Sequence, residues 1–422
     1  MIALWLITVL SLHKTIFRAI DTLNSFIEFL PQSRMGDVMF PSNFGGAYID
    51  SDGNAVVLVV ETASAFMETV SLTEWRENVA LNQLQVSDGA VVRNVAFSYN
   101  ELWATVELLR SHFAGDVDAM MAANVQGWYV DVVGNRVVVE LIYLSDEMVR
   151  LFRTIVLDSP IVEFEIASIH FSVDDSCVQE LDYFPQMDDI LFYEFGESSI
   201  APFNSVVAAP GGTLFVYRGG VRIATASIGY RASLSGVRGF VTSAHLGSQI
   251  SRAPLRAGDQ VRVPGINGNI GHVASNNHVS LDNVDAVFVT LNSGFEISDT
   301  VMGGRIGASE VPNIWVGQQV YAIGYRTGFT RGQITHIGFN THVIVNTTDG
   351  IERVPIRNAL VSTHIGDRGD SGGIVYTWVG GGSFPHAVIG MHTASPSQEG
   401  VMSPSLVSVF HEINRIIRTT LR

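Results

Sequence analysis

Residues Gly366-Asp367-Arg368-Gly369-Asp370-Ser371-Gly372-Gly373 set a serine among glycines, and Ile374-Val375-Tyr376-Thr377-Trp378-Val379 follow directly. A serine nucleophile needs an exposed Oγ, backbone N–H donors aimed at a developing oxyanion, and room for a substrate backbone. Flanking glycines supply the room and the unusual dihedrals. A Gly-rich turn with no chemical role would read the same in isolation. The string also fits G-x-S-x-G, but that motif of α/β-hydrolases requires a helix after the serine. The β-branched and aromatic run that follows predicts a strand instead, which points to a β fold.

Two upstream segments give the serine partners. Gly239-Phe240-Val241-Thr242-Ser243-Ala244-His245 is an apolar strand that delivers a histidine at its end. Val284-Asp285-Ala286-Val287-Phe288-Val289 places a carboxylate at the mouth of an otherwise apolar strand, where it needs a partner. Asp285 is preferred to Asp282 because Val, Phe and Val follow it at strand spacing. The order His, Asp, Ser holds with gaps of 40 and 86 residues. It suits a general base, the group that orients it, and the nucleophile.

From Thr213 onward short β-rich segments alternate with Gly, Asn and Ser turns. Only Ser408–Leu421 carries a helical apolar period, through Val409, Phe410, Ile413, Ile416, Ile417 and Leu421. Many short strands with one terminal helix predict a closed all-β architecture.

The upstream half reads differently. Gly46, Tyr48, Ile49, Asp50, Gly53, Asn54, Val56 and Val57 recur at a constant offset of 81 as Gly127, Tyr129, Val130, Asp131, Gly134, Asn135, Val137 and Val138. Each copy reads strand, Asp-x-x-Gly-Asn turn, strand, with Asp50 and Asp131 as turn-capping residues. Helical patterns stand near Ala63–Leu84, Glu101–Ala123 and Ser145–Val156, so this half is α+β and internally duplicated. From Val173 to Pro210 no period is sustained, as in a linker or a processing segment.

Charge follows the same division. Residues 1–208 hold 29 acidic and 9 basic side chains, a net of −20, and residues 209–422 hold 12 and 16, a net of +4. Opposite signs favour docking of two units. Lys14 is the only lysine among 25 basic residues, which disfavours Schiff-base and lysine-dependent P-loop chemistry. Cys177 is the only cysteine, so neither an internal disulfide nor a multi-thiolate zinc site can form. No run of 18 apolar residues is present. The apolar run Ile2 to Leu10 reads equally as a signal-peptide core without its basic flank and as a buried N-terminal helix.

Residues 209–422 resemble a chymotrypsin-like serine protease of the alpha-lytic protease and streptogrisin branch. The likeness rests on Ser227-Ile228-Gly229-Tyr230, the strand ending at His245, Asp285, Thr327-Gly328-Phe329, the Gly369–Gly373 motif and the terminal helix. Gly127-Trp128-Tyr129-Val130-Asp131 and Asn135-Arg136-Val137-Val138-Val139 resemble that branch's pro-region. The resemblance implies an all-β double six-stranded barrel preceded by an α+β, internally duplicated pro-domain. The expected divisions are an apolar N-terminal segment 1–20, a pro-region 21–174, a processing segment 175–208 and a protease domain 209–422. Within the last, the barrels fall at about 209–305 and 314–407, with the helix at 408–421.

The resemblance further implies a serine endopeptidase made as a precursor and secreted. His245, Asp285 and Ser371 are its triad, the N–H groups of Gly369 and Ser371 its oxyanion hole, and no metal or cofactor is required. Asp370 is expected to be structural. Val388–Ser395 is the strand that walls the primary pocket. His392 there matches the histidine of glutamyl endopeptidases, Ser395 a second pocket hydroxyl, and Arg368 the rim, which together imply preference for Glu, or Gln or Asp, before the cut. Expected partners are peptide or protein substrates and the chain's own pro-region as folding aid and inhibitor, with Glu197 a candidate self-processing site. Neither nucleic acid nor a stable membrane span is expected. The alternative is a protease-fold binding protein without activity. One departure is systematic: Ala226, Leu246 and Asp367 stand where the family commonly has cysteines, so either core packing compensates for the missing bridges or the protein matures where disulfides do not form.

Overall fold

The computed structural model describes residues 18–24, 40–60, 90–115, 117–167, 171–173, 206–246, 255–275, 279–280, 283–302, 304–306, 313–347, 350–367, 369–379, 386–396 and 405–421. They form two compact units: 1–168 with 312–319 and 333–339, and 169–311 with 320–332 and 340–422. The N-terminal apolar run, the helical pattern at Ala63–Leu84, Cys177, Glu197 and Arg368 lie outside the described residues.

In the first unit both repeat copies fold as antiparallel hairpins, Phe44–Ile49 with Ala55–Val60 and Val125–Asp131 with Arg136–Leu141. Each first strand carries a bulge at the same place, at Phe44/Gly46 and at Val125/Gly127. Each second strand then pairs in parallel with a third, Val91–Val95 or Val162–Ile166. The duplication therefore extends one strand beyond the matched residues. Asp50 accepts from the amides of Asp52 and Asn54 at 3.0 and 2.8 Å, and Asp131 from that of Gly134 at 2.9 Å, so both close their turns. The pattern over Glu101–Ala123 resolves into two helices, Tyr99–Phe113 and Ala119–Asn124, each opened by its own cap. Ser98 and Glu101 form a capping box, and Asp118 restarts the chain. A third helix, Asp146–Ile155, starts at Ser145. Asn135, at φ +53°, accepts from the Phe97 amide and donates to the Phe97 and Gly45 carbonyls, tying the second turn to the first copy.

The second unit is built from two antiparallel systems. In the first, nine strands run in the order Val221–Ser227, Thr213–Arg218, Gln260–Arg262, Gly271–Val273, Ala286–Leu291, Val237–Thr242, Arg231–Leu234 and Thr420–Leu421, with Val279–Ser280 beside Ala286–Leu291. The second orders Gln319–Gly324, Ile374–Trp378, His386–Pro396, Ser405–Val409, Gly350–Ser362 and Gly328–Thr347, and the last pairs back onto the first. This is the closed six-stranded barrel expected. The first system exceeds six because short strands extend it. The strand Phe171–Val173 belongs to the second system, antiparallel to Ser395–Pro396 and parallel to Ile344–Val345.

The terminal helix, Phe410–Ile417, buries Phe410, Ile413 and Ile417 in an apolar cluster with Tyr230, Val241, Phe288 and Met391, which come from both systems. A large-to-small change such as Ile413→Ala in a core of this kind costs about 2–5 kcal/mol. Ala226 and Leu246 are both fully buried in one cluster with Leu214, Phe240 and Val287. Apolar packing thus occupies two of the three places where the resembling family commonly has cysteines, and at the third the Asp367 amide donates to Asp370 instead.

Candidate active site

The strand Val237–Thr242 is buried from Gly239 onward and holds its register against Ala286–Leu291, with Thr242 opposite Val287. That pairing brings the segment after one strand beside the segment before the other. Asp285 Oδ1 there accepts the amides of Ala244 and His245 at 2.7 and 2.9 Å, and its Oδ2 lies 2.6 Å from His245 Nδ1. The carboxylate is 1% exposed, and these contacts replace its water. His245 Nε2 faces Ser371 Oγ at 3.1 Å. With Nδ1–H held by the carboxylate, Nε2 is the acceptor and can take the serine proton.

Ser371 sits on a turn fixed by Asp370. That carboxylate accepts the amides of Arg326, Thr327 and Asp367 at 2.9, 3.1 and 2.9 Å and the Thr327 hydroxyl at 2.7 Å. Asp370 is thus the turn's internal anchor, and Thr327 of the Thr-Gly-Phe segment is its partner. Gly369 has φ +100°, and a Cβ there would fall 2.4 Å from the Tyr325 ring, so only glycine fits. The amides of Gly369 and Ser371 have no protein acceptor among the described residues.

His392 and Ser395 lie on the strand His386–Pro396, and Ser395 Oγ is 3.2 Å from His392 Nε2. Behind them stand two residues that the sequence reading missed. His364 Nε2 is 3.0 Å from His392 Nδ1, and His364 Nδ1 is 2.5 Å from Ser362 Oγ. Burial pushes the pKa of both histidines below the ordinary 6.5, His364 well below it. Both rings are therefore neutral at pH 7. A Cβ at Gly366 would fall 2.2 Å from His392 Cε1, so the glycine before the serine loop is what admits the ring. The available signal for His364 was its place at the end of the strand Gly350–Ser362, seven residues before Ser371.

Residues 100–166 match the Pro-like C-terminal domain family. No curated protein sequence matches the chain significantly. Among solved structures, Thermobifida fusca protease A is 19% identical over 51% of this chain and 98% of its own, with a TM-score of 0.37. Nocardiopsis protease is 23% identical over 51% and 100%, with a TM-score of 0.37. A glutamic acid-specific serine protease that uses a histidine triad in substrate binding is 24% identical over 51% and 100%, with a TM-score of 0.36. The strand order gives the downstream unit the double-barrel, chymotrypsin-like fold, and the match to the Pro-like C-terminal domain family stands upstream of it at residues 100–166.

Proposed function

We propose that the protein is a serine endopeptidase made as a precursor, with residues 21–174 as pro-region, 175–208 as processing segment and 209–422 as protease. The observation that carries this reading is the unbroken contact from Asp285 Oδ2 through His245 to Ser371 Oγ, at 2.6 and 3.1 Å. Ser371 Oγ attacks the scissile carbonyl while His245 Nε2 takes its proton. The amides of Gly369 and Ser371 hold the oxyanion, and His245 then protonates the departing amine to leave an acyl-enzyme. Water enters by the same path in reverse. Asp285 keeps the tautomer and stabilises the imidazolium. A binding protein without activity would need none of these three groups in contact.

The preference we assign is Glu before the cut, with Gln or Asp next. Support comes from the hydrogen balance of the chain Ser362–His364–His392–Ser395. If Ser362 donates to His364, each ring N–H finds an acceptor and His392 Nε2–H points outward to Ser395 and a bound side chain. The reverse direction leaves the Ser362 hydroxyl hydrogen, 1% exposed, without an acceptor among the described residues. An orphaned buried donor costs about 1–3 kcal/mol, which favours the outward donor. An outward N–H recognises a carboxylate or amide oxygen. Ser395 adds a hydroxyl, and Arg368 is assigned to the pocket rim.

The strand Phe171–Val173, lying against Ser395–Pro396 beside this pocket, supports the pro-region as an inhibitor that occupies the substrate strand. We place maturation outside the cytoplasm, by a cut after Glu197 made by the enzyme itself. The test is a fluorophosphonate label followed by a diverse peptide library. Labelling at Ser371 and cleavage after Glu are expected. Equal turnover of Glu and Phe peptides would remove the specificity assignment, and no label would remove the enzyme.

A further inference from the structure

The oxyanion site depends on two backbone amides in a loop rich in glycine. Gly369 is the freest residue there, and nothing in its own side chain fixes the direction of its amide. Its carbonyl is held from elsewhere. Ser227 Oγ donates to the Gly369 carbonyl at 3.0 Å and accepts the Tyr325 amide at 2.9 Å. The Ser227 amide donates to the Ser371 carbonyl at 3.0 Å, and the Ser227 carbonyl accepts the Thr242 hydroxyl at 2.9 Å. One fully buried residue thus grips the carbonyls of both residues whose amides would meet the oxyanion.

We propose that Ser227 is a positioning residue for the oxyanion site, acting through Gly369 and Ser371. Peptide planes are rigid, so a tethered carbonyl fixes everything at Gly369 except rotation about its own two dihedrals. Tyr325 closes one side of that rotation and the Ser227 hydroxyl holds the other. Removing the hydroxyl frees the Gly369 carbonyl and takes away the acceptor that the Tyr325 amide meets at 2.9 Å. The loop then samples orientations in which the Gly369 N–H turns away. This rests on the serine protease reading, because an oxyanion forms only if Ser371 is a nucleophile. The effect falls on kcat, since the ground-state carbonyl does not use these donors fully.

The experiment uses the full-length chain with a small fluorophosphonate. In that reaction Ser371 Oγ forms a bond to phosphorus, fluoride leaves, and the serine proton passes to His245. Native protein is expected to label and Ser371→Ala not to. Ser227→Ala should label at least about 10-fold more slowly, a fraction of the 10²–10³ that loss of a whole donor brings. Its KM for peptide should stay within about twofold and its affinity for a peptide boronic acid should fall with kcat, which a merely structural residue would not cause. A folded Ser227→Ala that labels within about twofold of native overturns the proposal. If Ser227→Ala does not fold, Ser227→Cys decides: its weak S–H donor should give an intermediate rate, and a native rate overturns the proposal. Failure of native protein to label, or labelling of Ser371→Ala, overturns the protease reading and this inference with it.

Discussion

Two hydrogen-bonded chains, one ending at Ser371 and one at Ser395, differ in what stands at the buried end. His245 is backed by the Asp285 carboxylate at 2.6 Å, and His392 is backed, through His364, by the hydroxyl of Ser362. A carboxylate behind an imidazole stabilises the cation that forms when the ring takes a proton. A hydroxyl does not, and burial holds His364 and His392 neutral. On the proposed reading the same side-chain type serves as a base in one chain and a fixed donor in the other. The difference lies in the terminal residue, not in the ring.

Each end of the comparison can be cut. Ser371→Ala should lower peptide turnover by about 10⁶-fold with the fold intact, read as kcat on a Glu peptide, and the precursor should accumulate uncut. Retained cleavage would falsify the mechanism. Asp285→Asn swaps the carboxylate for a neutral group and should cost about 10⁴-fold, because the amide holds the wrong tautomer. A loss under tenfold would mean that Asp285 only packs.

Glu140 is a third case, a buried acid with no basic partner among the described residues. It is 5% exposed, its Oε2 has no hydrogen-bond partner among the described residues, and Glu165 lies opposite it on the neighbouring strand. Burial first, then Glu165, raises its pKa from 4.5 to about 7. The unfolded chain loses this proton at lower pH than the folded one, so stability falls as pH rises from 4.5 to about 7. Glu140→Gln should remove that loss, about 3 kcal/mol at most, in thermal unfolding at pH 5 and pH 8. Identical pH slopes in the two proteins would clear Glu140 of the effect.

The smallest effects lie in the donor chain. His392→Ala should erase the Glu-over-Phe preference, about 10- to 100-fold for a hydrogen bond to a charged group, while kcat on other peptides survives. Ser362→Ala leaves His364 Nδ1 without its donor in the outward direction and its N–H without an acceptor in the reverse one, so the bias between the two narrows and the preference should fall only about two- to fivefold. Loss as large as that of His392→Ala would show that Ser362 holds the strand and not the proton. Mass spectrometry of the released pro-fragment checks the cut: an end at Glu197 is expected, and an end at Asp174, directly after the strand Phe171–Val173, would reassign it.

What was legible in the sequence followed period and punctuation. The strands leading to His245 and away from Asp285 are continuous apolar runs because they are buried on both faces, and the serine loop is marked by glycines that no other residue can replace. The repeat was visible because both turns need an aspartate cap. The single helix expected over Glu101–Ala123 is two, because the first ends at Phe113 and Asp118 caps a second that begins at Ala119. His364 and Ser227 were not legible as site residues. Their proposed roles come from partners 28 and 142 residues away, which neither the strand end before His364 nor the Ser-Ile-Gly segment at Ser227 identifies.

His245 and Ser371 are 126 residues apart and reach each other from different strand systems of one unit. No shorter contiguous piece of chain contains both. A chain that ends before Ser371 holds the histidine with no nucleophile, and on the proposed reading has no proteolytic chemistry. On the proposed reading the long sequence separation works as an interlock: the triad exists only once both strand systems have closed and brought His245 to Ser371.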